Sequence, residues 1–286
     1  MNEFVIITDS ASDLPASLAE KMGVDVIQLE VNMEGDLRLN NEIDVKEFYA
    51  YLRAKHGAKT SAINMDRFME VFDAKAAEGK DILYVSFSSG LSATYMAARN
   101  AAEEISEKYP DVKILVVDSL CASLGQGLFV KLACDKKNEG ATIDDVAAYL
   151  EEIRPRLTHW FTVDDLFFLK RGGRVSAATA VVGTMLQIKP VLHVDDEGKL
   201  ISMDKARGRQ GSIKALFEKM KATVIDPASQ TVYISHGDCY DDAKRLADMI
   251  SEELGVTDIL ISEIGPVIGA HAGPGTVALF FIGSER

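Results

Sequence analysis

Hydroxyl side chains are concentrated in residues 86–95 (SFSSGLSATY), where a buried strand is expected to give way to a helix. Ser89 and Ser92 could add hydroxyl donors to the free backbone N–H groups of the helix start, where the helix dipole also favours an anion. A carboxylate or a phosphate group would suit such a site. Simple capping of the helix by the same hydroxyls explains this segment equally well.

Two further polar segments mark predicted strand ends. Residues 8–15 (TDSASDLP) precede a helix, and Ser12 or Asp13 is expected to cap it. Thr60 and Ser61 belong to the segment KTSAIN, which also precedes a helix and is adequately explained by capping. Open α/β sheets bind ligands beyond the carboxyl ends of their strands, so these segments indicate where a site would form.

A histidine stands in a glycine-rich segment late in the chain. His271 is flanked by Gly269, Gly273 and Gly275, which allow the backbone to approach a neighbouring group closely. A lone histidine is more often structural than functional, but this polar residue in an apolar setting could contact a ligand head group. The five histidines show no HxH or HxxxH spacing that would indicate a metal site.

An acyl hydrolase with Ser89 or Ser92 as its nucleophile is an alternative function. The serine-rich segment lacks the GxSxG pattern of a nucleophile elbow, and no spacing in the sequence assembles a catalytic triad. Nucleotide binding has no motif support, because no GxGxxG follows a strand and no GxxxxGK[ST] is present.

Positive charge is concentrated between Leu166 and Lys214. Nine basic and four acidic residues give this segment a charge of +5, in a chain whose net charge is −13. Such asymmetry favours an anionic partner, with a solvated basic surface as the alternative. Arginines beside glycines can bind carboxylate or phosphate bidentately. The motifs KRGGR and KARGR supply the candidates Lys170, Arg171, Arg174, Arg207 and Arg209.

The composition is that of a globular protein, with 47% hydrophobic and 26% charged residues in 286. The acidic total predicts no nucleic-acid binding and at most transient membrane contact. Cys121, Cys134 and Cys239 are widely spaced, which argues against a disulfide framework or a zinc site and favours reduced thiols in the cytoplasm. The weakly charged stretch 265–283 contains five glycines and two prolines, so we expect a loop followed by a strand rather than a membrane span.

Apolar periodicity predicts an α/β protein whose pattern changes near residue 157. Valine- and isoleucine-rich runs separated by helices predict a mainly parallel sheet with flanking helices in residues 1–157. Residues 158–286 are predicted to form a smaller α+β domain. The predicted strands cover 4–8, 24–31, 81–88, 112–118, 157–163, 190–194, 199–206, 231–236, 257–264 and 276–282. The predicted helices cover 45–54, 66–78, 92–108, 123–137, 164–170, 211–222 and 241–254.

Six motifs together resemble those of the DegV family of fatty-acid-binding proteins. In chain order they are TDSASDLP, KTS, SSGLSATY, FLKRGGRVS, KARGR and GPVIGAHAGPG. Each motif alone is modest, but six in the family's order are specific, and the match covers residues 4 to 283 approximately. Two loops depart from the family's usual Thr-Ser-Gln-Pro-Ser and Leu-Ser-Gly-Thr, since Ala62 follows Ser61 and Ala93 follows Ser92.

The resemblance implies two α/β domains with a long-chain fatty acid in a deep tunnel near their junction. It implies that Thr60 and Ser92 hold the carboxylate. It places His271 and either Arg207 or Arg209 near the head group, and we expect Ser61 and Ser89, from the same two loops, to bind the ligand as well.

The resemblance also implies a partner. Some members of the family are the binding subunit of a fatty-acid kinase whose other subunit supplies the ATP site. The chain would then be a lipid-binding protein without a cofactor rather than an enzyme, and Lys170, Arg171 and Arg174 would help to dock the kinase. A passive lipid-sequestering protein without a kinase partner is the further alternative.

Overall fold

The computed structural model describes residues 3–175 and 188–286, so Ser176 of the FLKRGGRVS motif lies outside the described residues. The strands are β1 Phe4–Asp9, β2 Val24–Ile27, β3 Glu30–Met33, β4 Asp36–Leu39, β5 Lys59–Ser61, β6 Asp81–Ser86, β7 Ile114–Asp118, β8 Leu157–Thr162, β9 Ile188–Val194, β10 Leu200–Arg207, β11 Val232–His236, β12 Ile259–Glu263 and β13 Val277–Ile282. The helices are α1 Ala16–Met22, α2 Val45–Arg53, α3 Met65–Ala77, α4 Thr94–Lys108, α5 Leu124–Asn138, α6 Ile143–Ile153, α7 Phe167–Arg171, α8 Gly208–Thr223, α9 Tyr240–Leu254 and α10 Pro266–Ala272.

Four parallel strands form the first sheet, in the order β2-β1-β6-β7. The central strand β6 is buried along its whole length, because helices cover both faces of the sheet. Successive side chains of a strand point to opposite faces, so Leu83 and Val85 join one hydrophobic core while Ile82 and Tyr84 join another. The parallel sheet with flanking helices predicted for the N-terminal half is confirmed.

The apolar stretch 24–31 forms two strands in different sheets, and its prediction as one strand is wrong. β2 belongs to the parallel sheet, whereas β3 is the centre of an antiparallel sheet of order β4-β3-β5. Between β2 and β3, the Ser10 hydroxyl accepts a hydrogen bond from the Leu29 N–H at 2.9 Å. This backbone N–H therefore takes no part in the hydrogen bonding of either sheet. The short strands β4 and β5 were not predicted, yet β5 positions Thr60 opposite Val31.

The C-terminal half forms a six-stranded mixed sheet of order β10-β9-β8-β13-β11-β12, in which β11 and β12 pair in parallel. Helices α8 and α9 pack on one face and enclose a core that includes Trp160 and Phe217. The opposite face meets α5 and the N-terminal half. An antiparallel-rich sheet with helices is the α+β arrangement expected from the sequence of this half.

Helix α5 lies between the two large sheets. It packs against β1 and β6 on one side and against β8, β11 and β13 on the other. One hydrophobic cluster therefore runs from Leu83 through Phe129 to Phe280. A helix enclosed in this way is buried over most of its surface, and every residue from Leu124 to Val130 is buried. The predicted division near residue 157 thus falls at a change of sheet, at the start of β8, within a shared core.

Residues 266–272 form the helix α10, although a loop was expected from the glycines and prolines of this stretch. Pro266 occupies the first turn, where its missing N–H has no intrahelical acceptor to lose. Gly269 is needed for packing, since a Cβ at this position would lie 2.8 Å from the Tyr49 hydroxyl. Gly273 ends the helix with φ of +80°. Within the described ranges, no helix has both the length and the apolar character needed to cross a membrane.

The expected capping of α1 by Ser12 or Asp13 is wrong, because α1 begins after Pro15 without a side-chain cap. Asp13 is instead buried, and its two carboxylate oxygens accept hydrogen bonds from the Ser123 hydroxyl at 2.5 Å and the Gly265 N–H at 2.9 Å. Burial raises the pKa of Asp13 to about 7. This side chain ties the first loop to the starts of α5 and α10.

The shared core predicts that both large sheets unfold together. Phe129→Ala removes a fully buried ring from α5 and should lower the free energy of unfolding by roughly 3–5 kcal/mol. Urea unfolding followed by circular dichroism and by the fluorescence of Trp160, the single tryptophan, should show the same shifted midpoint. Met96→Ala, at an exposed position of α4, is the control and should change stability by no more than about 0.5 kcal/mol. An unshifted fluorescence midpoint in Phe129→Ala would show that the sheets unfold separately.

Candidate functional site

An internal cavity of about 260 Å³ lies beyond the N-terminal end of α5. Its walls come from the serine-rich loop before α4, from β5, from α10 and from one face of the six-stranded sheet. Two thirds of the lining residues are apolar. The polar lining residues are Thr60, Ser61, Ser92, Ser123, His159, Arg174, His271 and Thr276.

Alternating residues of β8 and β13 form one wall of the cavity. Phe161 is paired with Ala278, and the next inward-facing pair is His159 with Phe280. The wall follows from the period-two alternation of strands, which points these residues to the same face of the sheet. The wall is therefore apolar apart from the His159 ring.

Thr60 and His271 meet at one end of the cavity. The Thr60 Oγ1 atom lies 2.7 Å from His271 Nε2, although 211 positions separate the two residues in the chain. β5 carries Thr60 and α10 carries His271, and these two elements pack directly against each other. The hydrogen bond therefore joins the N-terminal half to the C-terminal half at the cavity wall.

Hydrogen bonds place Ser92 beside the segment that carries Thr60. The Ser92 Oγ atom lies 2.9 Å from Thr94 Oγ1, which accepts a hydrogen bond from the Ile63 N–H at 3.3 Å. Ser92 Oγ also accepts from the Thr94 N–H at 3.2 Å, which is a local capping contact at the start of α4. The Ser92 hydroxyl thus both binds the first N–H of α4 and lines the cavity.

Arg174 reaches the same end of the cavity from the KRGGR motif. Its Nε–H donates to the carbonyl oxygen of Leu91, next to Ser92, at 3.1 Å, and its Nη1 donates to the carbonyl of Gly172. Burial lowers the pKa of this guanidinium, which nevertheless stays a strong base. Arg174 therefore supplies a positive charge to the cavity end while its own hydrogen bonds hold it in place.

His271 is neutral at pH 7. Burial lowers its pKa to about 4, and the positive charges of Arg174 and Arg171 act in the same direction. Its Nδ1 atom is buried and has no hydrogen-bond partner among the described residues. Gly172 lies so close to this atom that a Cβ at position 172 would come within 2.1 Å of it. Gly172 of the KRGGR motif thus leaves room for the imidazole ring of His271.

Some of the residues predicted for the head group lie elsewhere. Ser61 lines the cavity at its exposed rim, but Ser89 is exposed and is not among the lining residues. Arg207 is exposed at the end of β10, and the Arg209 Nε–H donates to Asp242 at 2.8 Å. The structure thus places neither arginine of KARGR at the cavity. Arg174, for which the family resemblance implied a role in partner docking, lines the cavity instead.

An outer cleft of about 590 Å³ adjoins this end of the cavity. The two spaces share the residues Thr60, Arg174 and His271. Lys59 and Arg171 add positive charge to the cleft, and Glu34 adds an acid. Lys170 is exposed on the adjoining helix α7. The end of the cavity at Thr60 and His271 therefore opens toward a polar, mainly basic surface.

The geometry does not assemble a serine hydrolase. Ser92 Oγ contacts Thr94 rather than a histidine, and Ser89 lies outside the cavity lining. Thr60 does contact His271, but no described residue binds His271 Nδ1, so the orienting third member of a triad is missing from residues 3–175 and 188–286. The same residues contain no group of three or more His, Cys, Asp or Glu side chains arranged to hold a metal ion.

Comparison with known proteins identifies the family. The family model described as "Uncharacterised protein, DegV family" matches residues 3–284. The chain belongs to the DegV family. A DegV domain-containing protein from Clostridium perfringens is 45% identical over 289 residues, which cover 100% of this chain and 99% of the relative. The resemblance inferred from the six motifs is confirmed.

Solved DegV structures share the fold over nearly the whole chain. A DegV lipid-binding protein from Thermotoga maritima superposes with a TM-score of 0.87 at 31% identity, covering 99% of each chain. A DegV family protein from Thermus thermophilus, described as binding fatty acid, gives a TM-score of 0.86 at 32% identity, covering 98% of this chain and 99% of its own. These likenesses confirm the α/β fold class.

Sequence reasoning missed three polar residues of this DegV cavity, namely Ser123, His159 and Thr276, and it gave Arg174 a different role. His159 stands two residues before Phe161 in an apolar strand, so period-two alternation would have placed both on one face. Ser123 precedes a helix without any motif, and its position follows only from the packing of α5. The KRGGR motif did not show which of its arginines turns inward.

The buried neutral state of His271 predicts a pH effect on stability. Its folded-state pKa lies below the unfolded value of about 6.5, so the unfolded chain binds a proton first as the pH falls. The free energy of unfolding should therefore fall between about pH 6.5 and 4, and His271→Gln should remove roughly 3 kcal/mol of that fall. Urea titrations of the ligand-free protein at pH 7 and 4 measure the difference.

His56→Gln is the matched control, because its ring is exposed on the surface beside Glu34. It should leave the pH dependence of wild type within about 0.5 kcal/mol. Equal pH dependence in His271→Gln and wild type would contradict a buried, neutral His271.

Proposed function

We propose that this DegV protein binds a long-chain fatty acid, with the acyl chain in the cavity and the carboxylate at the Thr60–His271 end. The observation that carries the proposal is an apolar cavity whose Thr60, Arg174 and His271 lie where it meets the outer cleft, with Ser92 in the cavity wall next to Leu91, to which Arg174 bonds. An apolar chain with one anionic end complements this distribution. The lipid-binding relative from Thermotoga maritima and the fatty-acid-binding one from Thermus thermophilus support the same ligand class.

The acyl chain supplies most of the binding free energy. Each CH₂ group transferred from water to the apolar wall contributes about 0.8 kcal/mol, so ten such groups outweigh any single hydrogen bond of the head group. The carboxylate is held by the hydroxyls of Thr60 and Ser92, and the neutral imidazole of His271 orients the Thr60 hydroxyl. Arg174 supplies the opposite charge at short range.

We further propose that the bound carboxylate is presented to an ATP-dependent kinase partner, which forms an acyl phosphate. The support is the outer cleft, which reaches the head-group residues and carries Lys59 and Arg171. Exposed Lys170 and the exposed Phe167 on α7 extend this surface. The chain has no nucleotide-binding motif, so ATP would come with the partner. In this proposal the protein is a substrate-presenting subunit of the cytoplasm, where its three free cysteines stay reduced.

A fatty-acid titration tests the head-group assignment. Purified protein is first extracted with solvent and the extract analysed by mass spectrometry, and the delipidated protein is then titrated with a C18 fatty acid. Thr60→Val with Ser92→Ala should weaken binding at least about tenfold, because two hydrogen bonds to a charged group are lost. Ser89→Ala, from the same loop but outside the cavity lining, should bind like wild type.

Three results would count against the assignment. No fatty acid in the extract together with no uptake would rule out fatty-acid binding. Unchanged affinity in the double variant would remove Thr60 and Ser92 from the head-group site. A loss of affinity in Ser89→Ala as large as that in the double variant would show that the cavity wall does not distinguish Ser89 from the assigned residues.

A charge-reversal experiment tests partner docking. Lys170→Glu with Arg171→Glu should weaken fatty-acid binding by no more than about fivefold, because both side chains are exposed and neither lines the internal cavity, although Arg171 lines the outer cleft. ADP formation by a fatty-acid kinase subunit of the same genome, measured with fatty acid and Mg-ATP, should fall at least about tenfold and should depend on salt. Lys205→Glu, an exposed basic residue of β10, is the control for a general change of charge. ADP formation that needs the fatty acid but not these charges would refute docking at α7, and no partner-dependent ADP formation would favour a passive carrier.

A further inference from the structure

The start of α10 is held by side chains that come from the N-terminal half of the chain. Each of them binds one backbone group of residues 264–267. The pairs are Asp13 with the Gly265 N–H at 2.9 Å, Asn40 with the Val267 N–H at 3.0 Å and the Tyr49 hydroxyl with the Ile264 carbonyl at 2.9 Å. Gly265 stands at the N-cap position and has no side chain, so distant residues replace a local cap.

Asp13 is held on both of its carboxylate oxygens. The oxygen that does not bind α10 accepts a hydrogen bond from the Ser123 hydroxyl at 2.5 Å, and Ser123 lies 2.9 Å from the Ser235 hydroxyl. The backbone of Asp13 has φ of +51°, in the left-handed region that Asp and Asn tolerate better than other side chains. The position of the carboxylate is therefore set independently of α10, which makes it a fixed point for that helix.

α10 connects this fixed point to the head-group end of the cavity. Gly265 and His271 are six residues apart, which corresponds to about 9 Å along the helix axis. At the far end, His271 Nε2 lies 2.7 Å from the Thr60 hydroxyl. A displacement of the helix start would therefore change the direction in which the Thr60 hydroxyl is held.

Packing alone does not fix the tilt of α10. Gly269, in the middle of the helix, rests on Tyr49, since a Cβ at this position would lie 2.8 Å from the Tyr49 hydroxyl. A close contact at one point leaves a short helix free to tilt about it, whereas a second contact at the helix start removes that freedom. The bond from Gly265 to Asp13 supplies the second contact.

We propose that Asp13 is a positioning residue for carboxylate recognition, which acts through α10 to place His271 so that the Thr60 hydroxyl points at the bound head group. This inference rests on the proposed fatty-acid binding. Asp13 does not line the cavity, so it acts through Gly265 rather than on the ligand. Hydrogen bonds weaken steeply when their angles change, whereas apolar contacts have no direction. Asp13 should therefore affect the head group more than the acyl chain.

Competition binding to the delipidated full-length chain tests this role. The ligands are octadecanoic acid and its methyl ester, which share the acyl chain but differ in the charge of the head group. Wild type should prefer the acid at least about tenfold. Asp13→Ala should lower this preference at least about fivefold, because the Gly265 N–H loses its acceptor.

Asp13→Asn is the conservative variant that should restore the preference to within about twofold of wild type. Its amide oxygen still accepts from Gly265, its amide nitrogen donates to Ser123, and asparagine tolerates the left-handed backbone. Phe129→Ala is the control for stability, since it removes a buried ring that does not line the cavity. It should destabilise the protein without changing the acid-to-ester preference.

The ring nitrogens of His271 give a second measurement that needs no ligand. In the ¹⁵N-labelled, ligand-free protein the His271 signal, assigned with His271→Gln, should shift in Asp13→Ala and stay in place in Asp13→Asn and Phe129→Ala. An unchanged ring signal in Asp13→Ala would overturn the positioning role.

The binding outcomes separate this inference from the function on which it rests. An unchanged acid-to-ester preference in Asp13→Ala, an equal loss in Phe129→Ala or an equal loss in Asp13→Asn would overturn the positioning role and leave fatty-acid binding intact. If wild type binds neither ligand, the proposed function fails and the ring signal alone decides whether Asp13 positions His271. If Asp13→Ala does not fold, Gly265→Ala decides, because its Cβ would lie 2.8 Å from Asp13 Oδ1 and push the helix start away. A wild-type preference in that variant would overturn the inference.

Discussion

The structure depends on the burial of α5 between two β-sheets. Along the helix, side chains such as Phe129 fill the space between the sheets and join them into one core. At its N-terminal end the filling stops, and Ala122 and Ser123 line a cavity instead. Close-packed interiors rarely keep a space of this size, because lost contacts destabilise the fold. An apolar occupant would restore those contacts, so the helix that separates the sheets also bounds the cavity in which the proposed ligand would lie.

Two groups of polar residues lie near this cavity, and they differ in how far their side chains are buried. Asp9 accepts hydrogen bonds from the Tyr84 hydroxyl at 2.6 Å and the Phe87 N–H at 3.2 Å, so it fixes the loops at the sheet edge and has little capacity left for a ligand. Asp13 does the same between the first loop and α10. Thr60 and Ser92 are only partly buried and face the cavity. Burial therefore separates the structural carboxylates of Asp9 and Asp13 from the cavity-lining hydroxyls of Thr60 and Ser92.

The sequence predicted the parallel sheet well, because strands such as β6 are apolar on both faces and show this locally. It failed where distant contacts decide the structure. The break after β2 depends on Ser10 binding the Leu29 N–H, and α10 forms around Gly269 because Tyr49 occupies the space of a side chain. A distant contact also keeps Arg209 away from the cavity. Its Nε–H donates to Asp242, which lies 33 residues further along the chain. Motifs supplied several of the residues that line this end of the cavity, but only packing could show which of them reach it.

The charge balance at the head-group end bears on how a carboxylate would be used there. Arg174 already donates to the carbonyls of Leu91 and Gly172, so its charge acts on the site while part of its hydrogen-bonding capacity is spent. His271 is neutral because burial and the nearby arginines oppose its protonation. A carboxylate held by such groups is stabilised without being enclosed in a full bidentate salt bridge. Its oxygens would remain open toward the outer cleft, which is the geometry that transfer of a phosphoryl group from a partner requires.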